Sequence, residues 1–320
     1  MDLKTKMVQH GPISFSHSSA VALEGRRHRL GAGILANAIL DLIKIRITFF
    51  VGMSAVFGYV VATGDLSVSM ILPVLGIFLL SCASAATNHY QERYTDSLMH
   101  RTNRRPLPAG IMSPASVLVF ISVLALAGSA TILFSANSET LLLSWLAFVS
   151  YNIVYTPLKK ATPYAVIPGS FVGSLPVMAG WAAAGGRLTD PRLLAVAAFF
   201  FIWQIPHFWL LMELYDSDYR RAGFPTLRSF YGAKSIGVLI FSLTAALALS
   251  SVFLLTSRVV ENIFPQMIVI GLGVWLLFAT YEIIYRNSDR RRLKSAFLKI
   301  NVYVLAITLV VMVDLLIKKI

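Results

Sequence analysis

The stretch Ile71-Leu-Pro-Val-Leu-Gly-Ile-Phe-Leu-Leu-Ser-Cys-Ala-Ser-Ala-Ala-Thr87 runs directly into Asn88-His-Tyr-Gln-Glu92-Arg-Tyr-Thr-Asp96. The first half ends an apolar run near the length that crosses a bilayer, about 18–20 residues as a helix. The second half spaces three oxygen-bearing side chains by four residues. On a helix, positions i, i+4 and i+8 share one face, one turn apart. Amide and carboxylate oxygens are what a hard divalent cation such as Mg²⁺ accepts, usually together with phosphate oxygens. Arg101, Arg104 and Arg105 follow closely, and guanidinium groups suit phosphate. An acidic ladder plus an arginine cluster, at the end of a membrane helix, predicts a site for a metal-bound diphosphate on a lipid-soluble substrate. The plain alternative is a charged loop that only satisfies topology.

The remainder of the chain fits that membrane setting. Of 320 residues, 57% are hydrophobic and 13% are charged, about half the charged share of soluble domains. An all-α membrane protein of nine spans is predicted, near 47–63, 69–87, 113–135, 140–156, 164–184, 193–214, 236–256, 263–285 and 297–317. The alternate segments carry seven, four, two, four and five Lys/Arg, beginning with residues 1–46 before the first span, whereas the other side carries five. That asymmetry predicts a cytoplasmic N-terminus and an outside C-terminus. It also accounts for the net charge of +13 without nucleic acid as a partner. Residues 1–32 read as a flexible cytoplasmic arm, and 33–320 as one integral-membrane domain. No cleavable signal peptide is legible at the start. Residues 33–46 have the pattern of an amphipathic helix lying at the cytoplasmic interface. The single Cys82 excludes disulfide scaffolds and cysteine metal sites.

Polar residues gather in two further places. One is Trp203-Gln-Ile-Pro206-His207-Phe208, followed by Asp216-Ser-Asp218-Tyr219-Arg-Arg221. Pro206 breaks the helix ladder and frees a carbonyl near His207. A buried His at such a place is a structural hydrogen-bonder, a proton carrier or an iron or metal ligand. The other is Asn152, then Tyr155-Thr-Pro-Leu-Lys159-Lys160, leading to Pro168-Gly169, Gly173, Pro176 and Gly180. Lys159 and Lys160 can be ordinary positive-inside residues. The glycines allow close helix approach or a cavity lined by backbone. Glu282 and Asp314, in spans eight and nine, have no role assignable from chemistry alone.

These three blocks, with the nine-span layout, resemble the UbiA-type intramembrane prenyltransferases over roughly residues 35–317. Within them, the Trp203-Gln-Ile-Pro-His207-Phe and Asp218-Tyr219 block is similar to the haem-prenylating branch, the protohaem IX farnesyltransferases. The resemblance implies a helical bundle around a chamber opening near the cytoplasmic face. It implies transfer of a farnesyl group from farnesyl diphosphate to a vinyl group of haem B, giving haem O and diphosphate. Asn88, Glu92 and Asp96 are then the Mg²⁺ ligands, and Arg101, Arg105 and Lys159 the diphosphate-binding residues. His207 joins the catalytic set, with Asp218, Tyr219 and Arg221 in a second, haem-side motif. The chain departs from the family in two places: Glu92 stands where Asp is usual, and Lys44-Ile45-Arg46 lacks the middle proline.

Haem B is here a substrate. Membrane lipid is the surrounding partner, and haem A synthase or a terminal oxidase is the expected recipient of product. A bacterial inner membrane is the expected location. Two other readings stay open on sequence: a UbiA-type enzyme acting on an aromatic quinone precursor, and a non-enzymatic haem transporter or assembly factor.

Overall fold

A computed structural model describes residues 31–286 and 289–317. The predicted arm lies outside the described residues except for its last two positions, and so do Lys318 and Lys319. Among the described residues, nine helices are long and apolar enough to cross a membrane. The chain is an all-α integral membrane protein.

A short helix α1 (Ala32–Leu42) comes first. The spans follow as α2 (Ile45–Thr63), α3 (Ile71–Leu98), α4 (Pro114–Ser135), α5 (Ser138–Val149), α6 (Val166–Ala183) and α7 (Pro191–Leu214). A short α8 (Asp216–Arg221) lies in the next loop. The last three spans are α9 (Ala233–Ser250) with its continuation α10 (Val252–Thr256), α11 (Ile263–Thr280) with α12 (Ile283–Arg286), and α13 (Arg290–Ile317). The outward faces are apolar, as a lipid-facing surface requires: Phe134 is 92% exposed and Phe278 is 75% exposed. On α1, Ile34, Leu35 and Leu40 are exposed while Ala38 and Leu42 are buried, which suits the interfacial helix expected there.

Two spans run further than the apolar pattern indicates. The second continues to Leu98 and the ninth starts at Arg290. Neither added segment contains Pro or Gly, so nothing breaks the backbone ladder when the side chains turn polar. The ladder residues therefore sit on the span itself, and Asn88, Glu92 and Asp96 are all buried. The fourth span changes pitch. After Val149 it passes through a π-helical turn, Ser150–Tyr155, before Thr156–Leu158. The wider turn shifts the helix face by a residue, a device common at functional sites, and leaves Asn152, Tyr155 and Thr156 buried.

Helices α2 and α6 meet at backbone distance. A Cβ on Gly180 would lie 1.9 Å from the Ala55 carbonyl oxygen, and one on Gly58 would lie 2.0 Å from that of Val177. Small residues are what permit such approach in lipid, where helix association depends on close packing.

Candidate active site

Three cations meet the three ladder residues. Arg105 Nη1 donates to both carboxylate oxygens of Asp96, at 2.8 and 2.7 Å. Lys159 Nζ lies 2.7 Å from Glu92 Oε1. Lys44 Nζ donates to Asn88 Oδ1 at 2.6 Å, and Asn88 Nδ2 donates to Thr156 Oγ1 at 3.0 Å. The loop after α3 brings Arg105 back, the π-helical turn delivers Thr156, and Lys159 follows it. Lys44 is delivered by strain: its backbone is left-handed, φ 50° and ψ 52°. For a non-glycine residue that conformation costs about 1–2 kcal/mol. Such strain persists only where surrounding structure enforces it. Here it turns the chain from α1 into α2 and aims the ammonium at Asn88.

The electrostatics follow from burial. Burial first, then the nearby Arg105 guanidinium, pulls the Lys44 ammonium down to about 7, because a charged form without water or full pairing is disfavoured. Burial also pulls on Lys159, but the Glu92 carboxylate outweighs it with help from Tyr151, and the pKa ends above the ordinary lysine value. Among the described residues no cluster of three or more His, Cys, Asp and Glu is present. The ladder offers two carboxylates and an amide instead.

An aromatic row leads away from this ladder. The Lys159 ammonium lies 5.3 Å from the Tyr155 ring centroid. Tyr155 stacks on Tyr151 at 5.7 Å and meets Phe208 at 5.7 Å. Phe208 meets His207 edge-on at 5.5 Å. Two glycines make room: a Cβ on Gly169 would strike the Tyr155 ring, and one on Gly173 would strike Gln204. Beside the row, a recess is lined by Lys159, Tyr155, Phe208, Met212, Tyr219 and Phe224.

Residues 47–303 match the UbiA prenyltransferase family. The chain belongs to the UbiA prenyltransferase family. Among relatives, the protoheme IX farnesyltransferase of Christiangramia forsetii is 31% identical over 294 residues, which is 90% of this chain and 96% of that one. That of Oleidesulfovibrio alaskensis is 36% identical over 192 residues, 60% of this chain and 68% of the relative. Among solved structures, a UbiA homologue from Archaeoglobus fulgidus bound to DMAPP and Mg²⁺ has a TM-score of 0.63 at 18% identity, covering 84% of this chain and 98% of that one. That similarity shows a shared UbiA fold.

Not every residue picked out by sequence meets the ladder of this UbiA-family chain. Arg101 instead lays its guanidinium over the Tyr215 ring, 4.7 Å from the centroid. Asp218 accepts from the backbone amides of His100 and Arg101, at 3.3 and 3.2 Å. It thereby ties the loop after α3 to the loop after α7. Tyr219 packs edge-on against Phe224 and lines the recess, while Arg221 is exposed. Lys160 is exposed as well, unlike Lys159. Glu282 pairs with Arg292, and Asp314 accepts from Glu261 N and Asn262 Nδ2, at 3.0 and 2.6 Å, near the start of α11.

His207 differs from the bland expectation for it. Its Nδ1 meets not a carbonyl freed by Pro206 but Asn301 Oδ1 on α13, at 2.9 Å. Helix α7 continues through Pro206 to Leu214. Two partners of the candidate residues, Lys44 and Asn301, escaped the sequence reading in this role. Lys44 stood out only as half of a charge pair, and Asn301 did not stand out at all. The available signal for Asn301 was the one amide side chain in the ninth span, a costly placement in lipid.

Proposed function

We propose that the chain farnesylates haem B at a vinyl group with addition of water, giving haem O and diphosphate. The observation that carries this reading is the convergence of Lys44, Arg105 and Lys159 on the buried face of Asn88, Glu92 and Asp96. Paired cations and carboxylates at a membrane-helix end suit a metal-bound diphosphate, and the relatives' names supply the acceptor. The aromatic row ending at His207 gives an apolar path between the two.

The residues present fit a hard cation, because two buried carboxylates and an amide oxygen on one helix face form an oxygen donor set. Asn88, Glu92 and Asp96 would hold Mg²⁺, which when bound neutralises charge on departing diphosphate. Lys44, Arg105 and Lys159 exchange part of their present pairing for phosphate oxygens. Arg101 lies one loop turn away as a further cation. The bond from the farnesyl carbon to diphosphate oxygen breaks, and its electron pair leaves on that oxygen. Tyr151, Tyr155 and Phe208 keep water from the allylic cation. The vinyl π electrons bond to the farnesyl carbon, water adds to the cation left beside the porphyrin, and a proton is lost. His207 holds the porphyrin, Asp218 joins the loops after α3 and α7 beside the site, and Tyr219 lines the recess next to Lys159. Trp203, whose indole ring lies 5.1 Å from His207, has a buried Nε1–H with no partner among the described residues. A buried donor of that kind is available to a ligand.

The proposed setting is a bacterial inner membrane with the ladder at the cytoplasmic face and the C-terminus outside. The acceptor is tested by incubating purified protein with farnesyl diphosphate and either haem B or 4-hydroxybenzoate. Diphosphate release with haem B alone supports the reading. Release with the benzoate alone overturns it in favour of a quinone-precursor enzyme.

A further inference from the structure

We propose that Asn301 is a positioning residue that fixes His207 in its Nδ1–H form and so presents the Nε2 lone pair to an iron porphyrin. The inference rests on the reading above that His207 is the porphyrin-holding residue.

The argument is one of hydrogen-bond direction. Asn301 Nδ2 donates to the Phe297 carbonyl oxygen at 2.5 Å, one turn back along α13. A carbonyl oxygen only accepts, so the nitrogen of the amide must face it. That turns Asn301 Oδ1 toward His207 Nδ1, 2.9 Å away. The amide oxygen also only accepts, so His207 Nδ1 must carry the hydrogen. A neutral imidazole carries one N–H, which leaves Nε2 as the basic nitrogen. Among the described residues no hydrogen bond reaches Nε2. Aromatic neighbours hold the ring plane, with centroids at 5.1 Å for Trp203, 5.5 Å for Phe208 and 4.8 Å for Phe297. Phe297 thus contributes both its ring to the packing of His207 and its carbonyl to the orientation of Asn301.

The arrangement has the form of a histidine whose one nitrogen is held by an outer acceptor so that the other can bind. Such outer partners set both tautomer and ring orientation. The free Nε2 lone pair suits axial ligation of iron, and equally the proton lost after water addition. A hydrogen bond between two helices also serves as packing glue, so the test needs a readout that packing does not move.

That readout is the protonation of each ring nitrogen. Full-length protein in detergent, labelled with ¹⁵N-histidine, is compared with His207→Ala to assign the signals. The parent should show a protonated Nδ1 and a bare Nε2. Asn301→Leu, similar in size but without an acceptor, should show Nε2–H populated. Haem B affinity should fall about tenfold in Asn301→Leu, with farnesyl diphosphate affinity unchanged. A parent spectrum with Nε2–H, or an Asn301→Leu spectrum identical to the parent, overturns the proposal. Unchanged haem B binding in His207→Ala overturns the porphyrin reading and with it the presentation step, while the nitrogen spectrum judges the tautomer on its own.

Discussion

Lys44 Nζ donates to Asn88 Oδ1 at 2.6 Å, joining residues 44 positions apart. The amide oxygen that a metal would take is therefore engaged by an ammonium. Lys44 comes from a strained left-handed turn, and its pKa is drawn down to about 7. A diphosphate bound at the proposed site would offer Lys44 a stronger anionic partner and release Asn88.

The sign of the pH effect follows. Below its pKa Lys44 is charged and attracts diphosphate; above it the attraction is lost. Farnesyl diphosphate affinity should fall as pH rises through about 7. In Lys44→Arg the guanidinium stays charged, so the decline should be shallower. Binding measured at about pH 6 and about pH 8.5 decides it. Coincident profiles for the two proteins would remove Lys44 from the diphosphate site.

Asp96 and Glu92 should respond differently to conservative change. Asp96→Asn removes the charge that Arg105 grips and should cost at least about a hundredfold in turnover. EDTA treatment of the parent should mimic it. Glu92→Asp keeps the charge and restores the usual family residue, so activity should persist, whereas Glu92→Gln should lose it. Rates from a farnesyl transfer assay separate the four cases. Undiminished transfer in Asp96→Asn, or in EDTA, contradicts the metal site.

Packing gives a prediction independent of chemistry. Gly180→Ala places a methyl group 1.9 Å from the Ala55 carbonyl oxygen. The helices must part, at a cost of about 1–3 kcal/mol, and the melting temperature in detergent should drop. Gly271 has nothing within 4 Å of a built Cβ, so Gly271→Ala should leave the melting temperature unchanged or slightly raised. An equal effect at both positions would mean that α2 and α6 do not meet as described.

If all nine candidate spans among the described residues cross the membrane, the two ends lie on opposite sides. A reporter fused after Ile320 should read the outside, and one inserted within 286–296 the cytoplasm. The same compartment for both would require one span fewer or one more.

The ladder was legible because helical periodicity alone puts positions 88, 92 and 96 on one face. The span count was legible because apolar length and Lys/Arg asymmetry are local properties. What was not legible depends on tertiary contact. Lys44 reaches Asn88 only through a left-handed turn that no nearby glycine announces. Asn301 meets His207 across 94 positions of chain, and apolar composition gives no register between α7 and α13. Arg101 and Arg105 look alike in sequence, yet one stacks on Tyr215 and the other grips Asp96. Charge clustering names the neighbourhood of a side chain but not its direction. The Pro206 break was also over-read, since helix α7 continues and His207 takes its partner from another span.

The proposed chemistry is tested most directly by mass spectrometry of haem after purified protein is incubated with farnesyl diphosphate, haem B and Mg²⁺. Haem B should gain the mass of one farnesyl group plus one hydroxyl group in the parent protein, and none in Asp96→Asn. Unmodified haem in the parent while farnesyl diphosphate is consumed would contradict haem as the acceptor.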